Sequence, residues 1–166
     1  DRNGANELWR SRIRTLNELG EDTGSDFLKN WLRSQYATKI RERKRAARRE
    51  DWDEIGTEFH RWLRRDHERV GLTKSADYCN FIVRDMDFYS IHYGRIVAAS
   101  SGALDPDSPL RYIRFNADLR FTLQDQILLA PLRIDDDQST IDKKLELVGK
   151  FIDILLAWRI WNQKST

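Results

Sequence analysis

The sequence predicts an all-α fold, a single helical-bundle domain of about five to seven helices over residues 1–166. Two observations favour this class. The chain has only three prolines, none of them in its first hundred residues, which suits long helices. Its apolar residues recur at three- and four-residue steps, the spacing of an amphipathic helix and not the alternation of a strand. With 166 residues and 11% aromatic content, the chain is long and apolar enough to bury a core.

The first hundred residues are predicted to form four helices. These are residues 5–19, a second helix that follows the cap Ser25 and carries a basic run at its end, residues 51–70, and a fourth helix after the cap Ser75. Gly20 and Gly71 follow the first and third helices as terminators. Gly56 and Gly94 lie inside predicted helices, where glycine is costly, so we expect close helix contacts at both positions.

The second half begins with a predicted loop at residues 100–109, which is rich in small, acidic and proline residues. Two short helices should follow, although residues 112–115 would also fit a short strand. Thr122 and Asp125 are spaced as a capping box, and Ser139 is placed to cap the last helix. That helix has a heptad-like apolar seam and further apolar residues on its other sides, so it should lie in the core or against another part of a larger protein. The seam comprises Ile141, Leu145, Val148, Ile152 and Leu155.

Aromatic and aliphatic residues on these helices are the candidates for the core or for an interface. They are Trp9, Trp31, Trp62, Phe81, Ile152 and Trp158. His92, on the aromatic side of its helix, is predicted to be a hydrogen-bonded core residue. Cys79 is the only cysteine, which excludes an internal disulfide and favours the cytoplasm. The sequence contains no apolar run long enough to span a membrane, so no membrane partner is expected.

A basic run, KIRERKRAARRE, occupies residues 39–50. If it continues the second helix, five of its side chains fall within an arc of roughly 140°. These are Arg41, Lys44, Arg45, Arg48 and Arg49. Such a stripe could bind several phosphates of a nucleic acid without reading its sequence. The alternative is a solvated helix end, because basic residues also complement the helix dipole and acidic residues follow at once. The net charge is only +2, so any basic surface must be local.

The candidate metal ligands lack a ligand spacing. His60 and His67 are two helical turns apart, roughly 10 Å, too far to share an ion. Asp85 and Asp87 diverge by about 200° on a helix. The aspartates at 135–137 could bind a cation, as a metal-dependent hydrolase would require, but their position at a helix N-terminus accounts for them. We therefore expect no metal, no cofactor and no catalytic group in this chain.

Four stretches resemble one bacterial family: DFLKNWLRSQYATKIRERK (26–44), IGTEFHRWLR (55–64), FTLQDQILLAPLR (121–133) and IDILLAWRIWN (152–162). They are similar to the helical portion that follows the nucleotide-handling core in the N-terminal domain of GmrSD-type modification-dependent restriction proteins. The family is otherwise labelled a domain of unknown function. The resemblance covers most of the chain.

The resemblance implies a part of a phage-defence protein that couples a nucleotide triphosphatase to a His-Asn-His nuclease. The Asp-Gly-Gln-Gln-Arg motif of the first and the His-centred motif of the second are absent from this sequence, so no catalytic role is assigned to its residues. The expected function is a helical scaffold that packs on the triphosphatase core and couples it to the nuclease. The first residue is Asp1, which agrees with a fragment of such a protein. The alternative is a nucleic-acid-binding module that uses the basic face of residues 41–49.

Overall fold

A computed structural model describes residues 2–162 and confirms the all-α class. The helices are α1 (Arg2–Asn17), α2 (Thr23–Tyr36), α3 (Asp51–Arg65), α4 (Ser75–Asn80), a π-helical segment (Phe81–Met86), α5 (Asp87–Ser101), α6 (Arg111–Asp118), α7 (Gln124–Leu129) and α8 (Gln138–Trp161). Since α4, the π segment and α5 follow one another without a break, the described residues form seven continuous helical rods. This number is the upper limit of the prediction.

Contacts group the chain into two compact units, residues 1–91 and 92–166. The single domain predicted over residues 1–166 stays a prediction, and residues 1 and 163–166 lie outside the described part of the chain.

The first unit is built around an aromatic cluster. Trp31, on α2, is 1% exposed and stacks against Phe81 and Tyr89, with ring centroids 4.8 and 5.8 Å away. Phe27 stacks on the same indole at 5.5 Å. Trp62, from α3, is also 1% exposed. The predicted core positions Trp31, Trp62 and Phe81 are therefore confirmed, and each buried ring contributes a large apolar area to the core.

Two predicted helix ends in this unit are wrong. Helix α2 ends at Tyr36, so the basic run lies outside it. Helix α3 ends at Arg65 and not at residue 70, and its backbone is non-helical at Glu58. The Thr57 hydroxyl donates to the Asp53 carbonyl one turn earlier, a contact that bends helices, next to the kink. Gly71 adopts a positive φ of 81° in the turns that follow α3.

The second unit packs α6 and α7 against α8. The predicted loop at residues 100–109 is present, because α5 ends at Ser101 and α6 begins at Arg111, and the two predicted short helices are confirmed. The core of the unit is aliphatic and includes Ile113, Leu128, Leu129, Leu132, Leu145 and Ile152. Ile152 is thus a core residue as predicted, whereas Trp158 is 58% exposed and does not belong to the core.

The predicted caps differ from those observed. The cap of α2 is Asp22 in place of Ser25, and α7 follows Leu123, which makes no side-chain cap. The cap of α8 is Asp137 in place of Ser139, and its carboxylate accepts a hydrogen bond of 2.7 Å from the Thr140 amide. An aspartate is favoured here because its charge also faces the positive end of the helix dipole.

Candidate functional site

Helix α8 carries a row of exposed apolar side chains along one side. The exposed fraction is 70% for Leu147, 64% for Phe151, 57% for Ile154, 58% for Trp158 and 88% for Trp161. Their spacing alternates between four and three residues, so at 100° per residue they fall within an arc of about 80°. We call these five residues the α8 stripe.

The opposite side of α8 is buried within its own unit. Its buried residues are Ile141, Leu145, Gly149, Ile152 and Leu156. Their mean direction differs from that of the stripe by about 160°. The buried set departs from the predicted seam, because Gly149 and Leu156 replace Val148 and Leu155. A straight helix turns slightly less per residue than a strict heptad repeat requires, which shifts the buried face along its length.

Polar contacts set the rotation of α8 about its own axis. Arg111 Nη2 lies 2.8 Å from Glu146 Oε1, and Asn116 Nδ2 donates to the Gly149 carbonyl at 3.1 Å. Helix α6 crosses α8 at Gly149, where a Cβ atom would lie 3.2 Å from the Tyr112 Cβ. This close approach and the two polar contacts hold α8 with its buried face inward and its stripe outward.

The α8 stripe is large for an exposed apolar surface. With side chains of roughly 150–250 Å² each, the exposed fractions amount to about 700 Å². The largest apolar patch on a typical monomeric protein is about 300–600 Å², and larger ones mark sites of protein–protein or membrane interaction. The stripe is therefore the strongest candidate for a functional surface in the described part of the chain.

The predicted basic helical face does not form. Residues 37–50 connect α2 to α3 without helical structure, and we call them the basic loop. The five predicted basic side chains are all exposed there: Arg41, Lys44, Arg45, Arg48 and Arg49. Lys44 pairs with Glu42 at 2.7 Å, and Arg49 Nη2 donates to the Thr57 hydroxyl. Arg41, Arg45 and Arg48 make no hydrogen bond or ion pair with another described residue.

Charge repulsion is one reason why α2 stops before this run. A helix would place Arg41 above Arg45 and Arg45 above Arg49, and like charges four residues apart destabilise a helix. Ala46 instead adopts a positive φ of 62°, a conformation outside the right-handed helical region. The basic residues therefore lie on an exposed loop and not on the face of a helix.

A buried carboxylate, Asp51, closes the base of the basic loop. It accepts hydrogen bonds from the Thr38 amide at 3.2 Å, the Thr38 hydroxyl at 2.9 Å and the Trp62 indole at 3.3 Å. Arg69 pairs with it at 3.1 Å and also donates to the Tyr36 carbonyl at 2.9 Å, at the end of α2. Burial opposes ionisation of Asp51, but these hydrogen bonds outweigh it and hold its pKa at about 2.

The candidate metal ligands that the sequence analysis rejected do not converge. His60 is exposed, and His67 Nδ1 lies 3.1 Å from the Arg64 carbonyl. Asp85 pairs with Arg84 at 3.0 Å, and Asp87 pairs with Arg12 at 2.6 Å. No group of three or more His, Cys, Asp or Glu residues that could hold a metal ion is found among residues 2–162.

The aspartates at 135–137 serve the start of α8. Asp136 pairs with Lys144 at 2.6 Å, and Asp137 caps the helix.

The predicted core histidine, His92, is 5% exposed. Burial and the nearby Arg95 lower the pKa of His92, so it is held neutral at pH 7. Within the described residues, no helix is both long enough and apolar enough to cross a membrane.

Two features were not predicted from the sequence. Leu147 extends the stripe toward the start of α8, and its four-and-three spacing with Phe151 and Ile154 was the available signal. The pair formed by Asp51 and Arg69 joins residues 18 positions apart in the chain. No local pattern signals such a pair.

Comparison of the chain with protein-family models, with curated proteins and with solved structures finds no match.

Proposed function

We propose that this chain is a helical scaffold segment that binds another protein surface through the α8 stripe. The segment belongs to a GmrSD-like bacterial restriction protein. There it packs against the nucleotide triphosphatase core and couples that core to the nuclease domain. No catalytic step is assigned to its residues. The observation that carries the proposal is the exposed apolar face of α8.

The geometry of α8 supports a docking role. A helix exposing two tryptophans, a phenylalanine and two aliphatic residues on one face has an unfavourable contact with water at every one of them. Aromatic residues are enriched at the centres of protein interfaces, where they contribute most of the binding energy. Covering the stripe with another apolar surface removes that contact.

The resemblance to the restriction family points to the same surface. The stretch at residues 152–162, which resembles the family, contains Ile154, Trp158 and Trp161. Three of the five stripe residues thus lie in a stretch of sequence that resembles the family. A segment that joins a triphosphatase to a nuclease needs such a contact surface in addition to its own core.

A restriction assay in bacteria tests the proposal. Cells that express the complete protein are challenged with a phage whose DNA carries modified bases, and plaque numbers are compared. Trp158→Lys together with Trp161→Lys should abolish restriction, because lysine cannot be buried at an apolar contact. Leu104→Lys is the matched control: Leu104 is 47% exposed outside the stripe, and its replacement should leave restriction intact. Full restriction by the stripe variant, at unchanged protein level, would refute the scaffold role.

Nucleic-acid binding by the basic loop is the second candidate function. It is favoured by Arg41, Arg45 and Arg48, whose exposed guanidinium groups have no intramolecular hydrogen bond or ion pair in the described structure. Three such groups can each contact a phosphate, and a loop can follow a nucleic-acid backbone without reading its bases.

Salt dependence separates the two functions. If the basic loop binds DNA, its affinity for a duplex falls steeply as salt rises. Replacing Arg41, Arg45 and Arg48 with Ser should then reduce the slope of log affinity against log salt concentration by about three, one for each lost phosphate contact. Replacing the exposed Arg10, Arg14 and Arg64 with Ser removes the same charge elsewhere and serves as the control. Equal effects of the two triple variants would contradict a specific role of the loop, and no binding at low salt would exclude this function.

A further inference from the structure

We infer that the α8 stripe pairs with the same stripe of a second copy of this chain, with the two helices antiparallel. The inference rests on the proposed docking role of the stripe, and it takes a second copy, not the triphosphatase core, as the surface that the stripe contacts. It follows from the spacing of the stripe, the sizes of its side chains and its area.

The spacing of the stripe is that of a helix-pairing seam. Leu147, Phe151, Ile154, Trp158 and Trp161 alternate at four and three residues over two heptads. This 3.5-residue period keeps side chains facing one neighbouring helix along their whole length. The buried face of α8 deviates from that period at Gly149, where α6 crosses. The outward face therefore has the periodicity suited to a second α-helix.

The two halves of the stripe differ in size in a complementary way. Leu147, Phe151 and Ile154 form the smaller half, whereas Trp158 and Trp161 form the larger half. An antiparallel pair places the tryptophans of one copy opposite the smaller half of the other. A parallel pair would crowd four indoles at one end and leave the other end loosely packed, which close packing disfavours.

The area and charge of the stripe agree with a dimer. A stable protein–protein interface buries about 800 Å² on each partner, slightly more than the roughly 700 Å² estimated for the stripe. From Leu147 to Trp161, no charged residue falls within the 80° arc of the stripe. Two copies can therefore meet without placing like charges in the centre of the contact.

Sedimentation velocity of the 166-residue chain tests the pairing. We expect a species of twice the 19.7 kDa chain mass at micromolar concentration. Trp158→Lys should weaken the dimer at least about 30-fold, the effect of losing a central aromatic residue. Phe151→Lys, a second stripe variant with an exposed wild-type side chain, should do the same. Leu104→Lys should leave the dimer unchanged, and circular dichroism should show the same helix content in all three variants.

The orientation is measured with spin labels in a Cys79→Ser background. Labels on Leu147→Cys and on Ile154→Cys report the distance between the two copies at each site. In an antiparallel pair the distance at residue 147 exceeds that at residue 154, since residue 147 lies farther from the two-fold axis. Equal distances would indicate parallel helices and overturn the antiparallel arrangement.

A monomer at high micromolar concentration, or a dimer that neither stripe variant weakens, would overturn the self-pairing. The restriction assay gives a separate answer about the proposed function. Loss of restriction in the stripe variant of a monomeric chain would mean that the stripe docks on a different partner. Retained restriction in that variant would refute the docking role itself.

Discussion

The guanidinium of Arg69 donates to both carboxylate oxygens of Asp51, with Nη1 3.3 Å from Oδ1 and Nη2 3.1 Å from Oδ2. Arg69 also lies over the Trp62 ring, with Cζ 5.2 Å from the ring centroid. The pair thus joins the end of α2, the start of α3 and the turns after α3. Hydrogen bonds to a charged group contribute more than neutral ones, so this contact should matter for stability.

Asp51→Asn should destabilise the chain by about 2–3 kcal/mol, because the amide loses the ion pair and turns an NH₂ group toward groups that are themselves donors. The free energy of unfolding in urea measures the change. Asp26→Asn is the matched control, since Asp26 pairs at the surface with Lys29 at 3.3 Å. Its cost should stay below about 0.5 kcal/mol. A similar cost for both variants would show that burial of the Asp51 pair adds no stability.

The stabilisation from Asp51 should disappear in acid. Its folded-state pKa of about 2 lies below the unfolded value of 3.8, so the carboxylate stabilises the fold fully above pH 3.8. This contribution, about 2 kcal/mol, is lost as the pH falls through the folded value. The stability difference between wild type and Asp51→Asn, measured in urea across this pH range, should therefore shrink toward pH 2. A constant difference would contradict the assigned pKa.

Gly56 is a close contact, as the sequence predicted. A Cβ atom there would overlap the guanidinium of Arg33, which donates from Nε to the Trp52 carbonyl at 3.0 Å and lies over the Trp52 ring at 4.5 Å. Gly56→Ala should thus destabilise the chain by about 1 kcal/mol, even though alanine favours a helix by a similar amount. The contact predicted at Gly94 stays a prediction.

An Arg33→Ala background provides the control for that result. With the guanidinium removed, the new methyl group meets no obstacle, and Gly56→Ala should become neutral or stabilising. A double-mutant cycle on the unfolding free energies isolates the coupling between the two positions. The same effect of Gly56→Ala in both backgrounds would mean that the helix kink, and not Arg33, requires glycine.

Two leucines on α8 test the division between its faces. Leu145 is 0% exposed and Leu147 is 70% exposed. Leu145→Ala should cost about 2–5 kcal/mol through lost burial and a cavity. Leu147→Ala should change stability by less than about 0.5 kcal/mol when measured at low protein concentration, where association contributes least. Similar costs at the two sites would contradict the exposed placement of the stripe.

The helical class and most helix positions could be predicted because they depend on local pattern. In α2, Phe27, Leu28, Trp31 and Leu32 repeat with the helical period, and all four are buried. The two short helices α6 and α7 were likewise found between turn residues. Such amphipathic signals need no knowledge of the distant partner that covers the apolar face.

The basic loop was mispredicted because its conformation depends on distant residues. Its sequence is rich in arginine, lysine and alanine, all good helix formers, so propensity favours a helix. The decisive contacts come from Asp51, Trp62 and Arg69, and a local reading does not include them. The exposure of the α8 stripe could not be predicted either. A helix with apolar residues on all sides does not reveal which side packs against its own unit.

Because the Asp51 contacts hold the two ends of the basic loop together, the fold of unit 1 should persist when a peptide bond within the loop is cleaved. The loop holds seven exposed lysines and arginines within residues 39–49, so trypsin should cleave there before it reaches the buried helices. The two resulting pieces would stay bound to each other, because α2 packs on α3 and the Thr38 and Arg69 contacts lie on either side of the break. A chain nicked in this way would run as two bands in denaturing electrophoresis and as one particle in solution.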